Sequence, residues 1–591
     1  MDSKTWQLRV KFIVFLMVVA SAFMLGYFAI SPYSIVAPKL WNVRIPGLRG
    51  EIRDATGRLC AVDRIFYVAY LDVGYLRKTY SPRLNPYLKL LFENFNLDLS
   101  TEDVLLTNKS FLRLGRSSTR DDLLNLVPTE MLFCVSIETE VERKCTDVYG
   151  MEKILGRVID GNGIGGIEQA LDEYLRPRKE GRIQLKYHYG LFNANSKIES
   201  IQPPQNGNNL RLTLDIDIQR ICYEEIQRAV EENNALAGGI IVVETKTGKV
   251  RALSFTRKWN DTVLGYIEPG SAIKPIVYAI ALENNVITPE STFLCQGSIK
   301  PVDTVDITIG DMSSHGVLNT QEALVHSCNV ATVMIAQRIH KAMGDQEYWS
   351  WLKKFGFGQR TGIQIAGEIE GVLRRPQNWS KIDFAMLSIG HGIGVTPIQF
   401  VSAFNVIAND GCYVYPTLLE TDKSTEVRII SSENARVIRE ALRRVVTEGT
   451  GTKASLPNIE VAGKTGTAQK LASGPGKYYS IFVGFFPYES PEYTVLIYVD
   501  EASSEKYLGG DVAAPVFAKV VKRITSLSVK EPLTFTEGVM PDLRGLTLRD
   551  ALIVLKMMGV NEVQINGTGI IREQYPEPGS MQLDRIELSL E

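Results

Sequence analysis

The chain is 591 residues long, too many for one ordinary core, so two to four domains are expected. Its 65 basic residues nearly balance 67 acidic ones, which gives no reason to expect nucleic acid as a partner. With 45% hydrophobic and 22% charged residues, the composition is that of a globular chain rather than a disordered one.

The first element is apolar. Residues 12–30, "FIVFLMVVASAFMLGYFAI", carry no charge and are long enough to cross roughly 30 Å of hydrocarbon as a helix. Lys4, Arg9 and Lys11 precede the run, so residues 1–11 are expected in the cytoplasm and the chain beyond 31 outside it. Ala20-Ser21-Ala22 could be a signal-peptidase site, but the apolar run continues past it, which favours an uncleaved anchor. The seven cysteines are scattered, with no CxxC pair, and are expected to be small core residues rather than a disulfide framework. The five histidines show no HxxxH or HExxH spacing, so no zinc site is expected. His326 and His391 are read as structural rather than catalytic.

Residues 32–205 are irregularly patterned. In "LRGEIRDATGRLCA" (48–61) the Asp54 to Gly57 step predicts a tight turn between two short strands. "GIGGIEQALDEYLR" (163–176) predicts a Gly-rich turn and then a helix with Ile167, Ala170, Leu171 and Tyr174 on one face. Residues 62–150 give no clear pattern, and "ESIQPPQNGNNL" (199–210) has the composition of a linker.

A second domain, 206–528, begins with a strand and a helix starting near Asp217. "LAGGIIVVETKTGKVRALSF" (236–255) predicts a β-hairpin around Lys246–Lys249. Residues 280–450 look mainly helical. "IEVAGKTGTAQK", "YYSIFVGFFPY" and "EYTVLIYVDE" predict three consecutive strands, and a closing helix follows. The fold class expected is a multidomain α/β (α+β) chain whose catalytic domain is one antiparallel sheet flanked by helices. The last segment, 536–591, predicts a small α+β module: a helix capped by Thr547, short strands and a turn at 576–579.

Three short motifs bear chemistry. SxxK occurs three times, at Ser271-Lys274, Ser350-Lys353 and Ser503-Lys506. S-x-N occurs at Ser327-Asn329 and Ser432-Asn434, and KTG at 246–248 and 464–466. Serine acyltransferases of this type need the order SxxK, SxN, KTG. Ser350 sits mid-helix, Ser503 lies past both KTG copies, and Lys246–Gly248 is a hairpin turn. Ser432 opens a surface helix. Ser271/Lys274, Ser327/Asn329 and Lys464/Thr465/Gly466 remain, roughly 55 and 135 residues apart.

A serine hydroxyl needs a base beside it. Helix positions i and i+3 share a face, so Lys274 is expected to reach Ser271. Pro269-Gly270 should place Ser271 near a helix start, where free N–H groups favour developing negative charge. Burial and a second cation, Lys464, would lower the Lys274 pKa. Gly466 should let a substrate backbone approach an edge strand, with Thr465 and Thr467 flanking it.

With these motifs in place the chain resembles the class B penicillin-binding proteins. "RGEIRDATGRLCA" and "GIGGIEQALDEYL" are similar to family segments of the pedestal. "TGIQIAGEIEGVL", "LSIGHGIGVTPIQFVSAFNVIANDG", "AGKTGTAQK" and "YLGGDVAAPVF" are similar to consecutive segments of the transpeptidase domain. The "GHGIGVTPIQ" form resembles the cell-division branch, FtsI, more than the elongation branch. The last 55 or so residues resemble a PASTA module.

The resemblance implies a pedestal over 32–205 and a peptidoglycan D,D-transpeptidase that needs no cofactor or metal. It implies Ser271 as acylated nucleophile, Lys274 as its base and Ser327 as proton relay. Asn329 would hold Lys274 and substrate, and Lys464, Thr465 and Thr467 would bind the terminal carboxylate of D-Ala-D-Ala. The N–H groups of Ser271 and Thr467 would form the oxyanion hole. Implied partners are stem peptides, β-lactams, the membrane, an FtsW-like glycosyltransferase and other divisome membrane proteins. Where the family has Thr-Phe between serine and lysine, this chain has Ala272-Ile273, both expected to face the core. Two other readings use the same residues. A hydrolase would pass the acyl group to water, but no ExxLN-type segment lies between the SxN and KTG motifs. A β-lactam or muropeptide sensor would need no intact triplet.

Overall fold

The computed structural model describes residues 3–30, 39–187, 197–420, 425–470, 476–503, 506–528, 539–544, 548–558, 560, 563–567, 571–581 and 585–590. The chain divides into two compact units, Met1–Phe517 and Ala518–Glu591. Ser3–Ile30 forms one helix, α1, whose side chains are described from Val10 to Met24 and are exposed there. Among the described residues no helix is long and apolar enough to cross a membrane, so the spanning segment expected over 12–30 is not confirmed.

Strand β1 (Lys39–Ile45) leads into the predicted turn. The Asp54 carboxylate accepts from the N–H groups of Thr56 (2.9 Å) and Arg58 (2.7 Å), and Gly57 takes φ +92°, which suits glycine. The unreadable stretch 62–150 proves to be a lobe with its own core. The long strand β2 (Leu59–Asp72) pairs antiparallel with β3 (Phe111–Ser117) and β4 (Val135–Cys145). Leu71, Leu88, Leu91, Phe92 and Met131 pack beneath this sheet. Further on, β5 (Gly181–Tyr187) pairs with both β1 and β6 (Lys197–Gln202).

The helix expected over 166–176 is broken. Two short helices, Gly166–Ala170 and Asp172–Leu175, meet at Leu171, which has non-helical backbone angles. The break shifts the helical phase, so Ile167 and Leu175 are buried while Ala170 and Tyr174 face solvent. Glu168 is buried too, held by Arg49 (2.6 Å) and Arg143 (2.8 Å). Arg143 also pairs with Asp63 (3.1 Å), and Arg49 with Asp172 (2.7 Å). The "RGEIRD" and "GIGGIE" segments are thus two sides of one buried ion network.

The expected strand before the next helix shrinks to Leu210–Arg211. Helix α2 (Ile216–Glu232) begins just before Asp217, because the Asp215 carboxylate caps the N–H groups of Asp217 and Ile218. The hairpin forms as predicted from β7 (Ala237–Glu244) and β8 (Val250–Phe255). The central helix α3 (Lys274–Glu283) is buried from Lys274 to Leu282. The helical middle supplies α4 (Asn329–Lys354), α5 (Pro397–Ala408) and α6 (Ser432–Thr447). Ser431, rather than Ser432, caps α6 by accepting from Asn434 N–H. The three late strands are β9 (Ala462–Gln469), β10 (Tyr478–Phe486) and β11 (Tyr493–Asp500). They join the hairpin in one antiparallel sheet of order β8-β7-β11-β10-β9, against which α2, α5 and α6 pack. Consecutive residues of β7 and β11 are buried, so both faces of the sheet are covered. Strand β9 ends this order, and among the described residues no further strand pairs with its outer edge.

Helix α7 (Gly509–Ser528) follows. In the C-terminal unit, α8 (Leu548–Met557) lies with β12 (Gln564–Asn566), β13 (Ile571–Tyr575) and β14 (Glu587–Leu590). Here β14 runs parallel to β12 and antiparallel to β13. Met540, Leu543, Ala551, Leu555, Ile571 and Leu588 form its core. The expected cap Thr547 lies outside the described residues.

Candidate active site

The segment that opens α3 is tighter than an α-helix. Gly270–Ile273 forms a single 3₁₀ turn, and the α-helix starts at Lys274. Ser271 therefore sits on the turn that leads into the helix, near its start as expected. A 3₁₀ turn has three residues per revolution, so positions i and i+3, here Ser271 and Lys274, fall on one face of it. Gly270 is needed twice: its φ is +52°, and a Cβ there would lie 2.5 Å from Thr467 O. Ala272 and Ile273 are fully buried, as expected.

The two amines converge on Ser327. Lys274 Nζ donates to the Ser327 carbonyl, to Asn329 Oδ1 (2.7 Å) and to Ser327 Oγ (3.4 Å). Lys464 Nζ donates to Ser327 Oγ (2.8 Å) and Thr465 O (3.1 Å). The direct bond expected from Lys274 to the Ser271 hydroxyl is not among these. Asn329 is fixed on three sides: its N–H donates to Asp311 Oδ2 (2.8 Å), its Nδ2 donates to Gly310 O (2.9 Å), and its Oδ1 accepts from Lys274. Ser327 has φ +54°, a left-handed conformation that costs a non-glycine residue energy.

Both lysines are fully buried, and neither is in an ion pair among the described residues. Burial pushes the Lys274 ammonium down to about 8, against the weaker pull of the Asp311 carboxylate. Burial, joined by repulsion from Lys274, holds Lys464 well below the ordinary lysine range. The pair accommodates one positive charge more readily than two.

The KTG strand packs directly on the serine turn. A Cβ on Gly466 would meet Pro269 O at 2.6 Å and Ala272 Cβ at 2.8 Å. The close approach that Gly466 permits is thus of the serine turn, where a substrate backbone was expected. Thr465 Oγ1 hydrogen-bonds Thr450 Oγ1 (2.7 Å), and Thr467 Oγ1 accepts from Gly509 N–H (3.0 Å). All eight candidate residues, Ser271, Lys274, Ser327, Asn329, Lys464, Thr465, Gly466 and Thr467, lie in or against this cluster.

Sequence reasoning missed Asp311, Thr450 and Gly390. Gly390 O accepts from Gly270 N–H (3.3 Å), and with φ +82° a Cβ there would fall 2.2 Å from Gly270 O. The "SIGHGIG" run was the available signal for Gly390; Asp311 and Thr450 sit in no motif. His391 Nδ1 lies 3.3 Å from Glu268 Oε2, at the rim of the same turn. None of the seven cysteines is in a disulfide, and six are buried. The expectation of no zinc site has one candidate group to set against it. It rested on local His spacing, whereas the fold gathers Cys295, Asp311, His315 and Cys328 from separate segments beside Asn329.

Residues 238–522 match the penicillin binding protein transpeptidase domain, and residues 538–588 match the PASTA domain. The chain is 30% identical to a probable peptidoglycan D,D-transpeptidase PenA of Neisseria flavescens, over 64% of this chain and 99% of that protein. It is 26% identical to peptidoglycan D,D-transpeptidase FtsI of Escherichia coli K12, over 88% of this chain and 92% of that one. Penicillin binding protein 2X from Streptococcus thermophilus shares the fold, with a TM-score of 0.65 at 19% identity, covering 93% of this chain and 91% of that one. The chain belongs to the penicillin-binding protein transpeptidase family.

Proposed function

We propose that this chain is a serine D,D-transpeptidase that cross-links peptidoglycan stem peptides through an acyl-enzyme on Ser271. The observation that carries the reading is the meeting of both amines on Ser327 Oγ, with the 464–467 strand against the Ser271 turn. In acylation, Ser271 Oγ forms a bond to the penultimate D-Ala carbonyl carbon and gives its proton to neutral Lys274. The oxyanion is received by the N–H groups of Ser271 and Thr467. When the C–N bond breaks, the leaving D-Ala amine takes a proton through Ser327 Oγ. The terminal carboxylate of the donor peptide supplies the counter-charge that Lys464 lacks, and Thr465 and Thr467 flank it. The outer edge of β9 lets an extended peptide add as a further strand. An amine of a neighbouring stem peptide then takes the acyl group and frees Ser271.

The wider reading follows the domain division expected from sequence. Residues 12–30 anchor the chain in the cytoplasmic membrane, 32–205 form the pedestal, 206–528 the catalytic domain and 536–591 the PASTA module. Septal cross-linking is the role that the FtsI names of relatives support, and an FtsW-like polymerase and other divisome membrane proteins are the partners that role would require. Fluorescent penicillin should label the full chain at one residue, and Ser271→Ala should abolish the label. Label retained on Ser271→Ala would overturn the assignment.

A further inference from the structure

Four potential ligands lie next to the SxN motif, and of these the transpeptidase reading uses only Asp311, as acceptor of Asn329 N–H. Cys295 ends the strand Thr292–Cys295, Asp311 and His315 lie on the loop that follows, and Cys328 is the central residue of Ser327-Cys328-Asn329. Their donor atoms all lie within 4.8 Å of one another. Cys295 Sγ is 3.5 Å from His315 Nδ1 and 3.7 Å from Asp311 Oδ2, and His315 Nδ1 is 3.8 Å from Asp311 Oδ2. A tetrahedral zinc ion with bonds of about 2.0–2.3 Å has ligand-to-ligand edges of about 3.3–3.8 Å. The separations among Cys295, Asp311 and His315 fall on those edges, and those to Cys328 stay within 4.8 Å.

The donor chemistry agrees with the spacing. Two thiols, one imidazole and one carboxylate suit zinc, which takes sulfur and nitrogen ligands in a closed tetrahedral site. Cys295 and Cys328 are fully buried, and the Asp311 side chain is 4% exposed. His315 Nε2 pairs with the Ser313 hydroxyl at 3.2 Å, an outer bond that leaves Nδ1 to the ion. A disulfide between the two cysteines would leave the aimed imidazole and carboxylate unexplained.

We propose that Cys295, Asp311, His315 and Cys328 bind one zinc ion, which pins the Ser327–Asn329 turn to the 295–315 loop. The leverage is direct. Asp311 Oδ2 also accepts from Asn329 N–H (2.8 Å), and Asn329 Oδ1 receives Lys274. Cys328 adjoins Ser327, whose left-handed backbone needs outside restraint. The ion would touch no substrate, so its four ligands are positioning residues. All four donors come from the protein, which leaves no open position for a catalytic water.

Only the rate arm of the test rests on the acyl-enzyme reading; metal content is read without activity. The full chain, purified in detergent without added metal and with reductant, is assayed for zinc by plasma mass spectrometry. About one zinc per chain is expected in the parent, and a small fraction of that in His315→Ala and Cys295→Ser. The acylation rate of both variants with fluorescent penicillin should fall about 10–100-fold, the usual cost of disturbing a metal's surroundings. The label should still map to Ser271. His315→Cys keeps a zinc-binding donor and should restore both zinc and rate, which separates metal loss from misfolding. A parent that holds no zinc after dialysis against zinc, or whose Cys295 and Cys328 are found joined, overturns the site. Bound zinc whose removal leaves the acylation rate unchanged overturns its positioning role.

Discussion

Two buried charge clusters in this chain are built on opposite rules. Ahead of the five-stranded sheet, Arg49 and Arg143 face Glu168, Asp63 and Asp172, and the contacts run from 2.6 to 3.1 Å. Each charge taken out of water there meets an opposite one. In the catalytic cluster, Lys274 and Lys464 share one hydroxyl and bond otherwise to neutral oxygens. Desolvation is opposed only weakly, by Asp311 at Lys274, and the two amines repel. A compensated cluster fixes a shape, because every departure from it strands a charge. An uncompensated one stores a readiness to lose a proton and to accept an anion.

The comparison is tested most severely at Lys274. Lys274→Met keeps the buried stem and removes the base, so acylation by penicillin should fall about 10²–10⁴-fold while the fold persists. Stopped-flow labelling measures this, and a loss under tenfold would place the base elsewhere. Glu168→Ala should do the reverse. It leaves two buried guanidinium groups short of a partner and should cost about 3–5 kcal/mol of stability. Urea titration should show a destabilised transition, while the protein that remains folded acylates at the parent rate. An unshifted titration would mean that the network holds nothing.

pH sharpens the contrast by roughly a hundredfold. Lys274 must be neutral to accept the serine proton, and burial brings it to about 8. Acylation should rise about tenfold per unit as pH climbs from 6 and level off above 8. A flat profile from 6 to 9 would remove Lys274 as the base. The sign for stability is the same. The folded chain gives up this proton near 8, whereas the unfolded chain keeps it to 10.5, so stability from this group grows as pH rises between those values. The smallest effect is expected at the edge of the cluster. Thr450→Val removes the 2.7 Å partner of the buried Thr465 hydroxyl and should slow acylation about two- to tenfold. No change in rate would show that Thr465 is held by the strand alone.

Some of the site was legible before folding. The order of Ser271, Ser327 and Lys464 along the chain excluded the other serines, and the hairpin at 246–249 and the three late strands followed from turn chemistry and apolar runs. The lobe over 62–150 was not legible, because its core draws on β2 and on residues 20 to 60 positions further along. The Gly166 helix was misjudged because its phase resets at Leu171, where a buried glutamate, not a greasy face, sets the packing.

What the sequence alone determined is local: where the chain must turn, which stretches are apolar enough to bury, and which residue types can attack, relay and bind. Turn dihedrals and side-chain periodicity act over a few residues, so they survive in the one-dimensional record. The tertiary structure decided which groups meet. It put both amines on Ser327 rather than Ser271, turned Gly466 towards Pro269, joined Arg49 to Glu168 and brought two cysteines to a histidine and an aspartate. Those contacts span tens to well over a hundred residues, and only the packing of the whole core selects them.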